Sequence, residues 1–230
     1  MKHTLLLIGA VSIATGLTAA EPKESLIEAA NALANKANYS WKTTVESAGE
    51  PPGIIEGKTE KGGASFLTLS RRENSFDAAL KGSKATVKTE EGWKPATEAA
   101  DMEGTRGGTR LVSLIVQNMK LPAAEVADLA GKVKELSVAD GVYSGNLGEE
   151  AKPIILFRIP STNDGPSAAH TEGTARFWMK DGMITKYEFH VKGTVSFRGD
   201  ERELDRTYTT VINGVGETTV NVPEEAAKRL

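Results

Sequence analysis

Cysteine is absent from all 230 residues, which removes disulfides, thiolate nucleophiles and thiolate metal sites together. A lipid-modified cysteine, the usual anchor of exported bacterial lipoproteins, is excluded on the same ground. Histidine is nearly as scarce: His3, His170 and His190 stand far apart, and nothing approaches the ligand spacing of a structural zinc site. There is no Gly-x-Ser-x-Gly elbow, since in Gly141-Val142-Tyr143-Ser144-Gly145 the serine comes one place late. Asn163-Asp164-Gly165 is too short for a calcium loop. An excess of basic charge is missing too; the formal net charge is −3, the wrong sign for a nucleic-acid surface. Carboxylate pairs exist at Glu149-Glu150 and Glu224-Glu225, in helix-start contexts where acidic residues are favoured anyway. The expectation is a non-enzymatic protein that needs no cofactor, no metal and no nucleic acid.

Long hydrophobic runs are limited to one, at the start. Lys2 and His3 precede an apolar stretch from Leu5 to Leu17, and Thr18-Ala19-Ala20 offers a small-residue cleavage site before Glu21-Pro22. The stretch falls short of the ~20 strongly apolar residues of a spanning helix, so residues 1–20 read as a signal peptide rather than a stable membrane anchor. Its removal leaves 210 residues at a formal charge of −4, exported to the periplasm or beyond the cell. No linker or long-period repeat divides residues 21–230, so one domain is expected there.

What is present is periodic. Leu26, Ile27, Ala30, Leu33, Ala34 and Ala37 recur at helical spacing and predict a packing helix over Lys23 to Ala37. Tyr39, Trp41, Thr43 and Val45 then alternate as a half-buried strand, which Glu50-Pro51-Pro52-Gly53 is expected to end. Hairpins follow around Glu60-Lys61-Gly62-Gly63 and Lys81-Gly82-Ser83-Lys84. From Pro95 to Gly131 the period becomes helical, with Leu111, Leu114, Ile115 and Met119 on one helix and Val126, Leu129 and Ala130 on a second, capped by Gly131. A small hairpin surrounds Asp140-Gly141, and Pro160 to Glu172 reads as a loop. Strands resume from Thr174 to Met179, Thr185 to Phe197, Leu204 to Ile212 and Thr218 to Val222, before a brief helix from Glu224 to Leu230.

The strand from Thr185 to Phe197 carries most information. Tyr187, Phe189, Val191, Val195 and Phe197 share one face, with Lys186, Glu188, His190 and Lys192 on the other. Thirteen residues at about 3.3 Å each reach about 43 Å, so the strand must curve, and Gly193 is the place for a bend. Its apolar face needs a cover, either the chain's own helices or a guest. Candidate lining residues are Trp41, Phe66, Trp93, Leu111, Leu114, Ile115, Phe177, Tyr187 and Phe189, against the simpler reading that aromatic residues are core. In Gly104-Thr105-Arg106-Gly107-Gly108-Thr109-Arg110, Arg106 and Arg110 with convergent backbone N–H groups are a candidate anion site. The simpler reading is a connection with Thr109 as N-cap. Arg198-Gly199-Asp200 is read as turn chemistry rather than an adhesion signal.

The order helix, strands, helical insertion, strands, terminal helix predicts an α+β fold with a curved, mainly antiparallel sheet and the insertion over its concave face. That order, with Phe177-Trp178-Met179-Lys180-Asp181-Gly182 entering the long strand and Val220-Asn221-Val222-Pro223-Glu224-Glu225-Ala226 ending the chain, resembles the half-barrel superfamily of periplasmic lipoprotein carriers and mycobacterial lipid-binding lipoproteins (LolA/LppX-like). The resemblance implies a half-barrel that binds a lipid or another acylated molecule. Arg71, Arg72, Arg106 and Arg110 are all possible counterparts of that superfamily's arginine-dependent closing mechanism, and none is singled out. The alternative function is a cell-envelope module with a protein partner, whose concave face is filled by its own helices.

Overall fold

The computed structural model describes residues 21–102, 107–156, 166–197 and 199–230; residues 1–20, and with them the signal-peptide reading, lie outside it. Helix α1 (Pro22–Ala34) leads into a meander of β1 (Asn38–Ser47), β2 (Glu50–Glu60), β3 (Ser65–Arg71), β4 (Asn74–Lys81), β5 (Lys84–Thr89) and β6 (Gly92–Pro95). Helices α2 (Ala96–Asp101), α3 (Gly107–Asn118) and α4 (Pro122–Lys132) follow. The second meander comprises β7 (Lys134–Ala139), β8 (Val142–Asn146), β9 (Ser167–Lys180), β10 (Met183–Phe197) and β11 (Asp200–Asn213), with α5 (Lys152–Ile155) between β8 and β9 and α6 (Glu224–Ala227) at the end.

All eleven strands join one open, curved antiparallel sheet in the order β6-β5-β4-β3-β2-β1-β11-β10-β9-β8-β7. The first meander runs from the centre to one edge and the second from the other edge back to the centre, mostly through short turns, and β1 zips the two together by pairing from Ser40↔Asn213 to Ser47↔Arg206. Asp140-Gly141 and Asp181-Gly182 make two of these turns with φ of 51° and 74°, and 51° and 73°, the left-handed pair that matches strand twist. This topology leaves β6 and β7 at opposite edges. The chain between them must therefore cross the whole width of the sheet, and it does so as α2, α3 and α4. The helical insertion lies over one face because the two edges have to be connected.

That face holds the main core. Alternation puts Tyr39 and Trp41 of β1, Leu67 and Leu69 of β3, Phe177 of β9, and Tyr187, Phe189 and Val191 of β10 inward. They meet Leu26 and Leu33 of α1, Val112 and Val116 of α3, and Val126 and Leu129 of α4. On the other face, a smaller cluster of Ala79, Trp93 and Ala226, flanked by Phe66, Val222 and Leu230, seats α6 against β4, β5 and β6.

Several boundaries differ from the sequence reading. Helix α1 stops at Ala34, short of Ala37. Pro51 and Pro52 lie within β2 rather than ending β1; the pairing with β1 is irregular between Val45 and Ser47, and a bulge spares the prolines a ladder donor. Gly131 is inside α4, not its cap. Of the loop expected over Pro160 to Glu172, residues 160–165 lie outside the described residues, but Ser167–Glu172 belong to β9. There His170 takes φ 51° and the register against β10 slips between Lys192 and Thr194, a bulge at the predicted bend, Gly193. Thr218–Val222 is not a strand; Asn38 instead holds it through Thr218 N–H to Oδ1, 2.7 Å. Terminal helix α6 ends at Ala227.

Candidate ligand groove

Four aromatic rings from three adjacent strands pave the centre of the concave face. Phe189 and Tyr208 stack at a centroid distance of 4.5 Å and 17° between planes, and Tyr187 continues the stack at 6.5 Å from Phe189. Trp41 of β1 lies flat across Gly57, its partner on β2; any side chain at 57 would occupy the position of the indole. The end of α3 (Ile115, Asn118, Met119), the start of α4 (Pro122, Glu125) and Ile154 of α5 roof this floor. A cavity of about 80 Å³ remains between floor and roof. That is smaller than the ~150 Å³ void that admits benzene in a protein core.

Two polar pairs flank this cavity. Thr43 and Thr210 share a buried hydrogen bond of 2.7 Å between their hydroxyls. The Tyr187 hydroxyl donates to Glu125 Oε2 at 2.7 Å, tying α4 to β10. Burial, and after it the Glu125 carboxylate, pushes the Tyr187 phenol well above its ordinary value of 10. Burial also raises Tyr39, with the Ala123 backbone acting in the opposite direction.

Ile55 and Ile115 line both this cavity and a much larger groove of about 1120 Å³. The groove runs from Val45, Leu69, Phe76, Leu111 and Val112 toward the ends of β1, β3 and β5. Its side wall exists because the sheet splits. Strands β4 and β5 pair only from Ala78↔Val87 to Lys81↔Lys84, although β4 stays paired to β3 as far as Asn74, and β5 to β6 as far as Thr89. In an antiparallel ladder the two-residue turn at Arg72-Glu73 fixes which residues point which way. Ser75 and Asp77 thus direct backbone N–H and C=O groups toward the gap, and both line the groove, as does Lys88 across it. Helix α3 closes in over the same place: a Cβ on Gly108 would lie 2.7 Å from the Phe76 ring.

The outer end of the groove is charged. Arg71, Arg72, Lys88 and Arg206 line it together with Glu50, Asp77, Glu90 and Glu91. Arg71 is paired with Glu50, Glu91 with Lys94 at 3.3 Å, and Arg206 donates to the Ile155 carbonyl at 3.3 Å. Arg72 is exposed, in a turn at φ 55°, and has no ion pair among the described residues.

Of the residues singled out in the sequence, Trp41, Ile115, Tyr187 and Phe189 line the small cavity, and Leu111 and Ile115 the groove. Phe177 is wholly buried in the core, and Leu114 is half-buried; neither lines either space. Phe66 and Trp93 sit on the opposite face under α6. Arg106 lies outside the described residues, and Arg110 is exposed and outside both linings. Thr109 is not an N-cap: α3 already starts at Gly107, and the Thr109 carbonyl accepts from Ser113 within the helix. Tyr208, Ile55 and Leu69 join the lining unannounced, although alternation over Leu204 to Ile212 marks Tyr208 as inward. His190 pairs with Asp205 at 2.7 Å on the opposite face. Among the described residues no three His, Cys, Asp or Glu side chains gather as a metal site, and no helix is long and apolar enough to cross a membrane.

No family model and no curated protein matches the chain. Among solved structures it is similar to LprF from Mycobacterium bovis, at 12% identity and a TM-score of 0.42 over 89% of this chain and 96% of that one. It is also similar to a LolA superfamily protein from Nitrosomonas europaea, at 8% identity and a TM-score of 0.34 over 88% of this chain and 95% of that one.

Proposed function

We propose that this is an exported, non-catalytic binding protein, a single domain over residues 21–230, that takes up an amphiphile with an acyl chain in the concave face of its half-barrel. The observation that carries this reading is adjacency: a groove of about 1120 Å³ and an aromatic-floored cavity share Ile55 and Ile115 in their linings. The groove's volume lies just above the usual range of ligand sites, ~300–1,000 Å³. The small cavity alone holds no lipid; in this reading a chain passes Ile55 and Ile115 on its way from the charged rim to the rings. Leu111, Ile115, Trp41, Tyr187 and Phe189 serve as lining in this reading, while Phe66 and Trp93 serve to dock α6.

The envelope-module alternative requires a filled hollow and an apolar patch elsewhere. Large exposed apolar side chains among the described residues are Leu111, Val138 and Val211. Leu111 lines the groove, and the other two lie on separate strands, so they favour the binding reading. Native mass spectrometry of gently purified protein, followed by titration with a fluorescent fatty acid, tests it. Co-purified or accepted lipid at one molecule per chain is expected; a protein that neither carries nor accepts any amphiphile overturns it.

A further inference from the structure

The groove is not uniform along its length, and its gradient specifies more than an apolar guest. Its inner end is walled by Ile55, Leu69, Phe76 and Ile115, two of which also line the ring-floored cavity; its outer end is set largely by turn residues. At that rim, Glu50 already has Arg71, and Glu91 has Lys94. Asp77 accepts the Thr68 hydroxyl at 3.0 Å. Two cations of the lining, Arg72 and Lys88, have no carboxylate partner among the described residues. Asn74 lines the same rim, as do Ser70 and Ser75, whose hydroxyls bond to each other at 3.2 Å. A guanidinium without a carboxylate partner, at the rim of an apolar groove, is a group that anionic oxygens bind.

We propose that the groove selects single-chain amphiphiles with an anionic oxygen headgroup, phosphate or carboxylate, bound with the tail toward Trp41 and Phe189 and the head at Arg72. This rests on the proposed binding function and names its ligand class. A narrow inner cavity of about 80 Å³ accommodates the end of one chain, not of two side by side.

Three probes with the same sixteen-carbon tail separate head from tail: hexadecyl phosphate, hexadecanoate and uncharged hexadecanol. The phosphate and carboxylate should bind about tenfold more tightly than the alcohol, the advantage shrinking as salt is added. Which of the two anions binds better identifies the source of the head. Arg72→Asn removes the charge while suiting a left-handed backbone, where Asn is better tolerated than most residues. It should abolish most of the anionic advantage and leave hexadecanol binding as it was. Arg229→Gln, on the exposed C-terminal end away from the groove, controls for general charge. Equal binding of all three probes, or an advantage untouched by Arg72→Asn, overturns the headgroup assignment while the binding function stands. Failure of every probe to bind overturns both.

Discussion

Tyr187 concentrates several demands on one side chain. It is part of the aromatic floor, it is almost fully buried, and its hydroxyl bonds to Glu125 of the helical cover. Because burial raises its pKa in the folded state, the fold holds the neutral phenol more firmly than the unfolded chain does. The stability this gives is complete below pH ~10, the unfolded value, and is lost as pH rises beyond it toward the folded value. Wild-type protein should thus show a late, cooperative phenolate titration that coincides with unfolding, followed by ultraviolet absorbance and circular dichroism. Tyr187→Phe should flatten the alkaline limb, yet cost about 1–3 kcal/mol at neutral pH by leaving the Glu125 carboxylate short of a donor. A variant that keeps the full alkaline limb would assign it elsewhere. Gly57 is the other exacting position. It is glycine because the Trp41 ring occupies the space above it; Gly57→Ala forces the indole to move and should cost about 1–3 kcal/mol, with a shift in tryptophan emission. An unchanged spectrum and melting point would show that the ring is not held there.

At the level of elements, the two faces of the sheet have separate jobs, and this is where sequence legibility divides. Strand β10 was readable to the residue because alternation is a local signal: Tyr187, Phe189 and Val191 point inward as their spacing requires. The same signal cannot say which of two apolar sets shares a hollow. Phe66 alternates against Leu67 and so faces away from it, and Trp93 goes with Phe66 at a ring distance of 6.3 Å. Only the register of β3, β4 and β5 decides that, and register is set by turns and pairing over long range. The split between β4 and β5 was invisible for the same reason, as was the meeting of Arg71 and Arg72, at the end of β3, with Arg206 of β11 in one lining. The division of labour makes a prediction. Ala226 of α6 is fully buried against the sheet, so Ala226→Asp puts an unpaired charge there and should detach α6, lowering the melting temperature by several degrees and uncovering Trp93 to quenchers. Amphiphile binding on the other face should survive at temperatures where the sheet is intact. Loss of binding in step with α6 release would mean that the two faces are not independent.

For the molecule as a whole, the arrangement of edges creates both the cover and the opening. Connecting β6 to β7 lays α2, α3 and α4 across the concave face, and Val112, Val116, Val126 and Leu129 fill most of the space beneath. The unfilled part lies where β4 leaves β5. Ile115 stands at the junction, half-buried, shared by the small cavity and the groove. A larger side chain there would grow into empty volume rather than into packed atoms, unlike one at the wholly buried Val126. Ile115→Trp should therefore leave stability within about 1 kcal/mol of wild type, where Val126→Trp should cost about 1–3 kcal/mol or more through overpacking. If the hollow is the binding site, Ile115→Trp should weaken hexadecyl phosphate binding at least about tenfold by blocking the way to the rings, equivalent to about 1.4 kcal/mol. Thermal unfolding and titration on the same samples decide the matter: intact stability with lost binding places the guest in the hollow. Intact stability with undiminished binding would move the guest out of the half-barrel, and the groove would then be no more than space that the helices fail to fill.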